Sequence, residues 1–228
     1  MNFGRGKVVL LATIFALAVS APSFANVCGV ANQLYCQEFD GTGNAFASQN
    51  DTTGGNGNFA TVYDNFTLGT AATVDSLHWE GEYFNPPNQG QITAWTVTIW
   101  SDNGGQPGAP LQVTHVDGTA NETFDGIFNG FPAYTYSVSG LGFSADAGVQ
   151  YWISEVPDLG FPPQWGNSSG TGGDGVAFQD FFGTRTQLAA DMAFALDGGN
   201  VGVPEPGTLV MLGTGVLGLA GAIRRKLF

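Results

Sequence analysis

The stretch "HWEGEY", His78 to Tyr83, sets two carboxyl side chains, Glu80 and Glu82, two residues apart. On a β-strand, positions i and i+2 share a face about 6–7 Å apart, near the carboxyl separation of a glycosidase pair. In such a pair one carboxyl protonates the glycosidic oxygen while the other, ionised, attacks the sugar or activates water. His78 falls on the same face, with Trp79 and Tyr83 on the opposite one. The pattern equally describes a solvated strand face, which is the preferred reading, since a working pair needs a cleft and nothing here supplies one. A hydrolase using Glu80 and Glu82 is therefore the alternative, and a non-catalytic protein the leading reading.

Other motifs fail on context. Gly166-Asn167-Ser168-Ser169-Gly170 fits a nucleophile elbow, but it stands in a glycine-rich stretch with no helix to follow. That chemistry also needs a downstream histidine, and His78 and His115 both lie upstream. Gly213 to Gly218 fits a dinucleotide fingerprint inside an apolar run that opens no βαβ unit. Asp102-Asn103-Gly104-Gly105 and Gly172-Gly173-Asp174-Gly175 could offer oxygens to Ca²⁺. Neither has the spacing of a calcium loop, and Asx turns account for both. Ca²⁺ is thus the one candidate cofactor, and no metal ligands are assigned. Of five tryptophans, Trp95, Trp100 and Trp152 read as core, and Trp79 and Trp165 as candidates for an exposed sugar-stacking face.

The elements that must position these residues are strands. Helical periodicity is nearly absent from the body. Short alternating runs rich in Val, Ile, Thr and aromatics recur instead: Ala60 to Leu68, Thr73 to Tyr83 and, most clearly, Ile92 to Ser101. In the last of these Trp95, Val97 and Ile99 point one way and Ala94, Thr96 and Thr98 the other. "SDNGGQPGAP" (Ser101 to Pro110) reads as a turn. Further runs are "LQVTHVDG", "ETFDGIF", "AYTYSVSG", "VQYWISEV", "VAFQDFF" and "ADMAFALDG". About nine strands without intervening helices predict an all-β fold: an antiparallel β-sandwich, jelly-roll-like, flanked by an N-terminal signal helix and a C-terminal transmembrane helix. Asp40 to Asn58 and Trp165 to Gly175 read as long glycine- and asparagine-rich loops.

Charge is divided sharply along the chain. The net charge is −13, and between residues 8 and 223 Arg185 is the single cation. So acidic a body repels nucleic acid and anionic surfaces, which are bound chiefly through Lys and Arg. The other cations sit at the ends: Arg5 and Lys7, then Arg224, Arg225 and Lys226. Arg5 and Lys7 precede an uncharged run, Val8 to Val19, and small residues follow at Ser23 and Ala25. This is the layout of a secretory signal, residues 1–25, cut by signal peptidase between Ala25 and Asn26. Cys28 and Cys36 follow at once, and in an exported chain the pair is expected to be a disulfide. The short loop it closes would contribute at most about 2–3 kcal/mol. Residues 26–199 then form one extracellular domain.

The tail, residues 200–228, has its own logic. Gly207 to Ile223 carries no charge and, as a helix, would measure roughly 25 Å, the short end for a bilayer core of about 30 Å. Arg224, Arg225 and Lys226 behind it belong in the cytoplasm. Val203-Pro204-Glu205-Pro206 cannot join a helix interior or central strand, so it should be extended and accessible to a protease. This order of Pro204-Glu205-Pro206, apolar stretch and basic end resembles the PEP-CTERM sorting tail of exported proteins in Gram-negative bacteria. The resemblance implies processing by an exosortase, transient anchoring in the inner membrane, and passage to the cell surface or extracellular matrix. It also implies a setting of exopolysaccharide production and biofilm matrix, which makes exopolysaccharide the candidate ligand. More loosely, "DNFTL", "WTVTIWSDNGGQPG", "VQYWISEV" and "GGDGVAFQD" resemble β-sandwich domains that precede such tails.

Overall fold

The computed structural model describes residues 27–200. The signal segment with its Ala25–Asn26 cut, the sorting motif and the transmembrane stretch lie outside the described residues. Within them no helix forms, and fifteen strands follow one another. These are β1 (Gln33–Phe39), β2 (Ala45–Ala47), β3 (Gln49–Asp51), β4 (Gly57–Thr67), β5 (Ala72–Phe84), β6 (Ala94–Asp102), β7 (Pro107–Asp117) and β8 (Thr123–Phe128). After them come β9 (Phe131–Ala145), β10 (Gln150–Asp158), β11 (Gln164–Thr171), β12 (Ala177–Phe181), β13 (Thr184–Leu188), β14 (Asp191–Met192) and β15 (Phe194–Asn200).

They build two sheets. The first runs β14-β11-β1-β15-β5-β9-β8, with β2 added on β11; the second runs β13-β12-β4-β3-β10-β6-β7. Pairing is antiparallel except where Asp158 of β10 meets Asn50 of β3. Each sheet turns one face into a common core. Leu77 and Trp79 of β5, Tyr136 of β9 and Trp165 of β11 meet Phe66 of β4, Trp95, Val97 and Ile99 of β6 and Ile153 of β10. The alternation read in β6 therefore holds. Cys28 and Cys36 form a disulfide that ties the segment before β1 to that strand.

Trp95 is the contact that joins the sheets. Its indole, from the second sheet, lies 4.9 Å from Trp79, 4.8 Å from Tyr136 and 4.9 Å from Trp165, all from the first. The rings meet tilted or edge-on, arrangements their quadrupoles favour. The Trp165 indole N–H donates to the Tyr136 hydroxyl at 3.0 Å, and that hydroxyl donates to Glu122 at 2.9 Å. A buried N–H and O–H are thereby satisfied.

Two stretches expected to be loops are strands. Asp40 to Asn58 contains β2, β3 and the start of β4, and β11 occupies much of Trp165 to Gly175. Their glycines record crowding rather than freedom. A Cβ on Gly166 would run into the Phe46 carbonyl, and one on Gly170 would stand 2.7 Å from the Met192 backbone. Glycine in a strand marks such close approach. The turn after β6 is also shorter than expected. Pro107 and Pro110 pair within β7, which is tolerated because β7 is the edge of its sheet.

Gly81 shows the same constraint at the core. A Cβ there would collide with the Trp165 indole and lie 2.8 Å from the Gly166 carbonyl oxygen. Gly81→Ala is expected to cost about 3 kcal/mol in urea unfolding. A loss below about 0.5 kcal/mol would mean that the indole is not packed against β5.

Candidate functional site

Glu80 and Glu82 do share the outer face of β5, but that face is roofed. The segment after β1 and the β8–β9 turn close over it: Phe39 meets Phe128 edge-on at 4.7 Å, and Gly43 has no room for a Cβ beside the Phe128 carbonyl. Glu80 is 0% exposed and Glu82 1%. The expected solvated strand face is thus a largely covered one, because residues far away in sequence lie over it.

Burial changes the chemistry of both groups. It pushes the Glu80 carboxyl up to about 9, with help from the charges of Asp125 and Glu82, the hydrogen-bonding contact with Asp125, and Asp40. No N–H or O–H group donates to either Glu80 oxygen. A proton on Glu80 supplies the hydrogen bond that two facing carboxylates could not make. Glu82 is raised to about 7 by burial and by the charge of Asp40, with Ser168 acting in the opposite direction. A glycosidase pair needs one protonated and one ionised partner. Here both are raised, Glu80 to about 9 and Glu82 to about 7, and what counts against the pair is access, since Glu80 is 0% exposed. His78, on the same strand, lies 3.3 Å from Asp197 and takes no part.

Beside Glu82 a cavity of about 550 Å³ opens, with Asp40, Asn44, Phe46, Phe84 and Phe131 among its walls. Asp40 accepts hydrogen bonds from the Thr42 N–H (2.8 Å), the Thr42 hydroxyl (2.7 Å) and the Ser169 hydroxyl (2.6 Å).

A second concavity, of about 280 Å³, lies on the outer face of the other sheet, among Thr61, Tyr63, Thr96, Thr98, Trp100 and Ser154. The Trp100 ring meets Tyr63 edge-on at 5.4 Å, and its N–H donates to the Ser154 hydroxyl at 3.0 Å. The Tyr63 hydroxyl donates to Asp180, and Arg185, paired with Asp180 at 2.8 Å, lies 5.1 Å from the Tyr63 ring. The groove thus combines rows of hydroxyls with a half-buried indole fixed in place.

The tryptophans redistribute accordingly. Trp79 and Trp165 are 0% exposed and cannot present a sugar-stacking face. Trp100, expected in the core, is the one that reaches the surface. Alternation in β6 carried that signal, since Trp100 is out of step with Trp95, Val97 and Ile99. The two loops considered for Ca²⁺ engage their carboxylates internally. Asp102 accepts from the Gly105 N–H at 3.1 Å and the Trp152 N–H at 2.9 Å. Asp174 accepts from the Val176 N–H at 3.0 Å and the Asn65 side chain at 3.1 Å.

Comparison with known families decides the nature of the tail: residues 202–226 match the PEP-CTERM protein-sorting motif. The chain carries a PEP-CTERM sorting signal. The matched span contains Pro204, Glu205 and Pro206 as well as Arg224, Arg225 and Lys226. A PEP-CTERM motif marks an exported protein, held by a C-terminal membrane anchor until an exosortase-type enzyme processes it. No curated protein and no solved structure matches the chain.

The buried carboxyls predict a pH dependence. A carboxyl raised in the folded state holds a proton that the unfolded chain releases, so folding is favoured at low pH. That contribution fades as pH climbs from the unfolded value toward the folded one. For Glu82 and the buried Glu155 the decline runs up to about 7, and for Glu80 up to about 9. Each ionising group lowers stability by about 1.4 kcal/mol per pH unit in its window. Glu80→Gln is expected to flatten the decline between pH 5 and 9 and raise the melting temperature at pH 8.5. An unchanged slope would show that Glu80 is not held protonated.

Proposed function

We propose that this is a non-catalytic protein of the cell surface or extracellular matrix, with a jelly-roll-like β-sandwich body that binds exopolysaccharide. The tail supplies delivery. The groove on the second sheet supplies the binding surface, and it is the observation that carries the reading. Thr96 lines it half-buried beside Thr98 and Ser154, which are 4% and 1% exposed, and in register Ser154 faces Thr98 and Val156 faces Thr96. Trp100 offers an aromatic wall to one side. Sugar rings are recognised by such pairing of apolar faces with directed hydrogen bonds, and an aromatic contact contributes about 0.5–1.5 kcal/mol beyond the area it buries. The acidic body keeps the protein away from nucleic acid and anionic lipid.

The hydrolase alternative is disfavoured by the covering of its own residues, Glu80 being 0% exposed and Glu82 1%. Affinity electrophoresis of the surface protein in gels cast with the producing cells' exopolysaccharide tests the reading. Retardation is expected, with Trp100→Ala weakening it about tenfold, and a Glu80→Gln, Glu82→Gln double variant serves only to test for depolymerisation. No retardation of the parent protein, or depolymerisation that the double variant stops, would overturn the proposal.

A further inference from the structure

The cavity beside Glu82 has an unbalanced charge. Glu82 is 1% exposed, lines the cavity, and its Oε1 receives no hydrogen bond. Asp40 stands in the same wall. No cation answers them: among the described residues the one Lys or Arg is Arg185, which is bound to Asp180 on the other sheet. A desolvated carboxyl at a cavity wall with one oxygen unsatisfied, beside the contact that Ser168 makes with it, is costly unless something that enters completes it.

The remaining walls restrict what that can be. Three phenylalanine rings, Phe46, Phe84 and Phe131, border the cavity. Aromatic faces attract an organic cation, and the effect grows as water is excluded. A divalent ion fits less well. Ca²⁺ takes six to eight oxygens, and no group of three acidic, His or Cys side chains gathers at metal distance among the described residues. An ammonium needs only one or two carboxylates and tolerates apolar neighbours. At about 550 Å³ the space matches a small organic ligand rather than a bare ion.

We propose that this cavity binds a protonated primary amine carried on a small hydroxylated body, as in an amino sugar, with Glu82 and Asp40 pairing its ammonium group. The ammonium follows from the carboxyls and phenylalanines alone, whereas the sugar body rests on the exopolysaccharide reading. The two sites lie on opposite sheets and can therefore fail separately.

Proton linkage separates this ligand from a neutral one. The titratable group acting on Glu82 is Asp40 after β1, while Glu82 and Asp125 of β8 both act on Glu80 of the same strand. Burial and Asp40 hold the Glu82 proton to about pH 7. An ammonium displaces that proton, so its affinity rises with pH through this range. A neutral sugar that accepts a hydrogen bond from the protonated carboxyl shows the reverse.

Calorimetric titration of the full-length protein with glucosamine, N-acetylglucosamine, glucose, butylamine and Ca²⁺ at pH 5.5 and 7.5 tests the proposal. Glucosamine is expected to bind at least tenfold more tightly than N-acetylglucosamine or glucose, with proton release at pH 5.5 and tighter binding at pH 7.5. Glu82→Gln should abolish both the preference and the pH dependence. If that variant does not fold, the pH profile and proton count of the parent protein still decide the matter. Equal binding of glucosamine and N-acetylglucosamine, tighter binding at pH 5.5, or binding of Ca²⁺ alone would overturn the assignment. Butylamine binding as well as glucosamine would overturn the sugar body while leaving the groove on the other sheet untouched.

Discussion

Trp95 reaches from one sheet into a cage of Trp79, Tyr136 and Trp165 on the other, and most of the body's organisation follows from accommodating it. Each such ring buries some 150–250 Å², or roughly 4–6 kcal/mol of transfer free energy per side chain before entropy is counted. Room for the indoles must be made in the backbone. Gly81 and Gly166 lack side chains where Trp165 and β2 press against β5 and β11. Tyr136 sits at the centre and satisfies one indole N–H while donating its own proton to Glu122. The core is therefore both a hydrophobic contact and a fixed polar chain, and each sheet's outer face is held in register by it.

The outer faces are used differently. On the first sheet, segments remote in sequence close over Glu80 and Glu82, leaving a partly covered cavity of negative character. On the second, β4, β6 and β10 form a shallow groove in which Trp100 and Thr96 are half-buried and the remaining hydroxyl side chains are buried. Asp51 shows how the irregular stretch between them is held. Burial works to raise its carboxyl, but N–H donation from Phe161, Gly54, Asn56 and Thr53 outweighs that and holds it well below the usual carboxylate range. One carboxylate thus pins the β3–β4 turn to the segment between β10 and β11. Below neutrality these two kinds of carboxyl oppose each other, with Asp51 losing its contribution as pH falls and Glu80 losing its own as pH rises.

The strands with alternating Val, Ile and aromatic residues were legible, because period-2 patterning reports directly on a half-buried sheet. Glycine-rich β11 was not. Its composition says "turn" when read locally, and only the backbones of Phe46 and Met192, more than 20 residues away on either side, explain why no Cβ fits. The fate of Glu80 and Glu82 was hidden for the same reason, since alternation gives a side chain's face but not what lies on it. Trp100 was recoverable from parity alone, whereas the complete burial of Trp79 and Trp165 depends on a partner sheet that no local pattern reveals. The sorting motif was readable because its meaning lies in linear order: Pro-Glu-Pro, an apolar run, a basic end.

All of this rests on which tryptophans lie inside, and acrylamide quenching of their fluorescence tests it directly. Trp79, Trp95, Trp152 and Trp165 are each 0% exposed, which leaves Trp100 as the indole that a neutral quencher can reach. The folded protein should show one small quenchable fraction, and Trp100→Phe should remove nearly all of it. Quenching that persists in the Trp100→Phe variant would place another indole at the surface and contradict the two-sheet core described here.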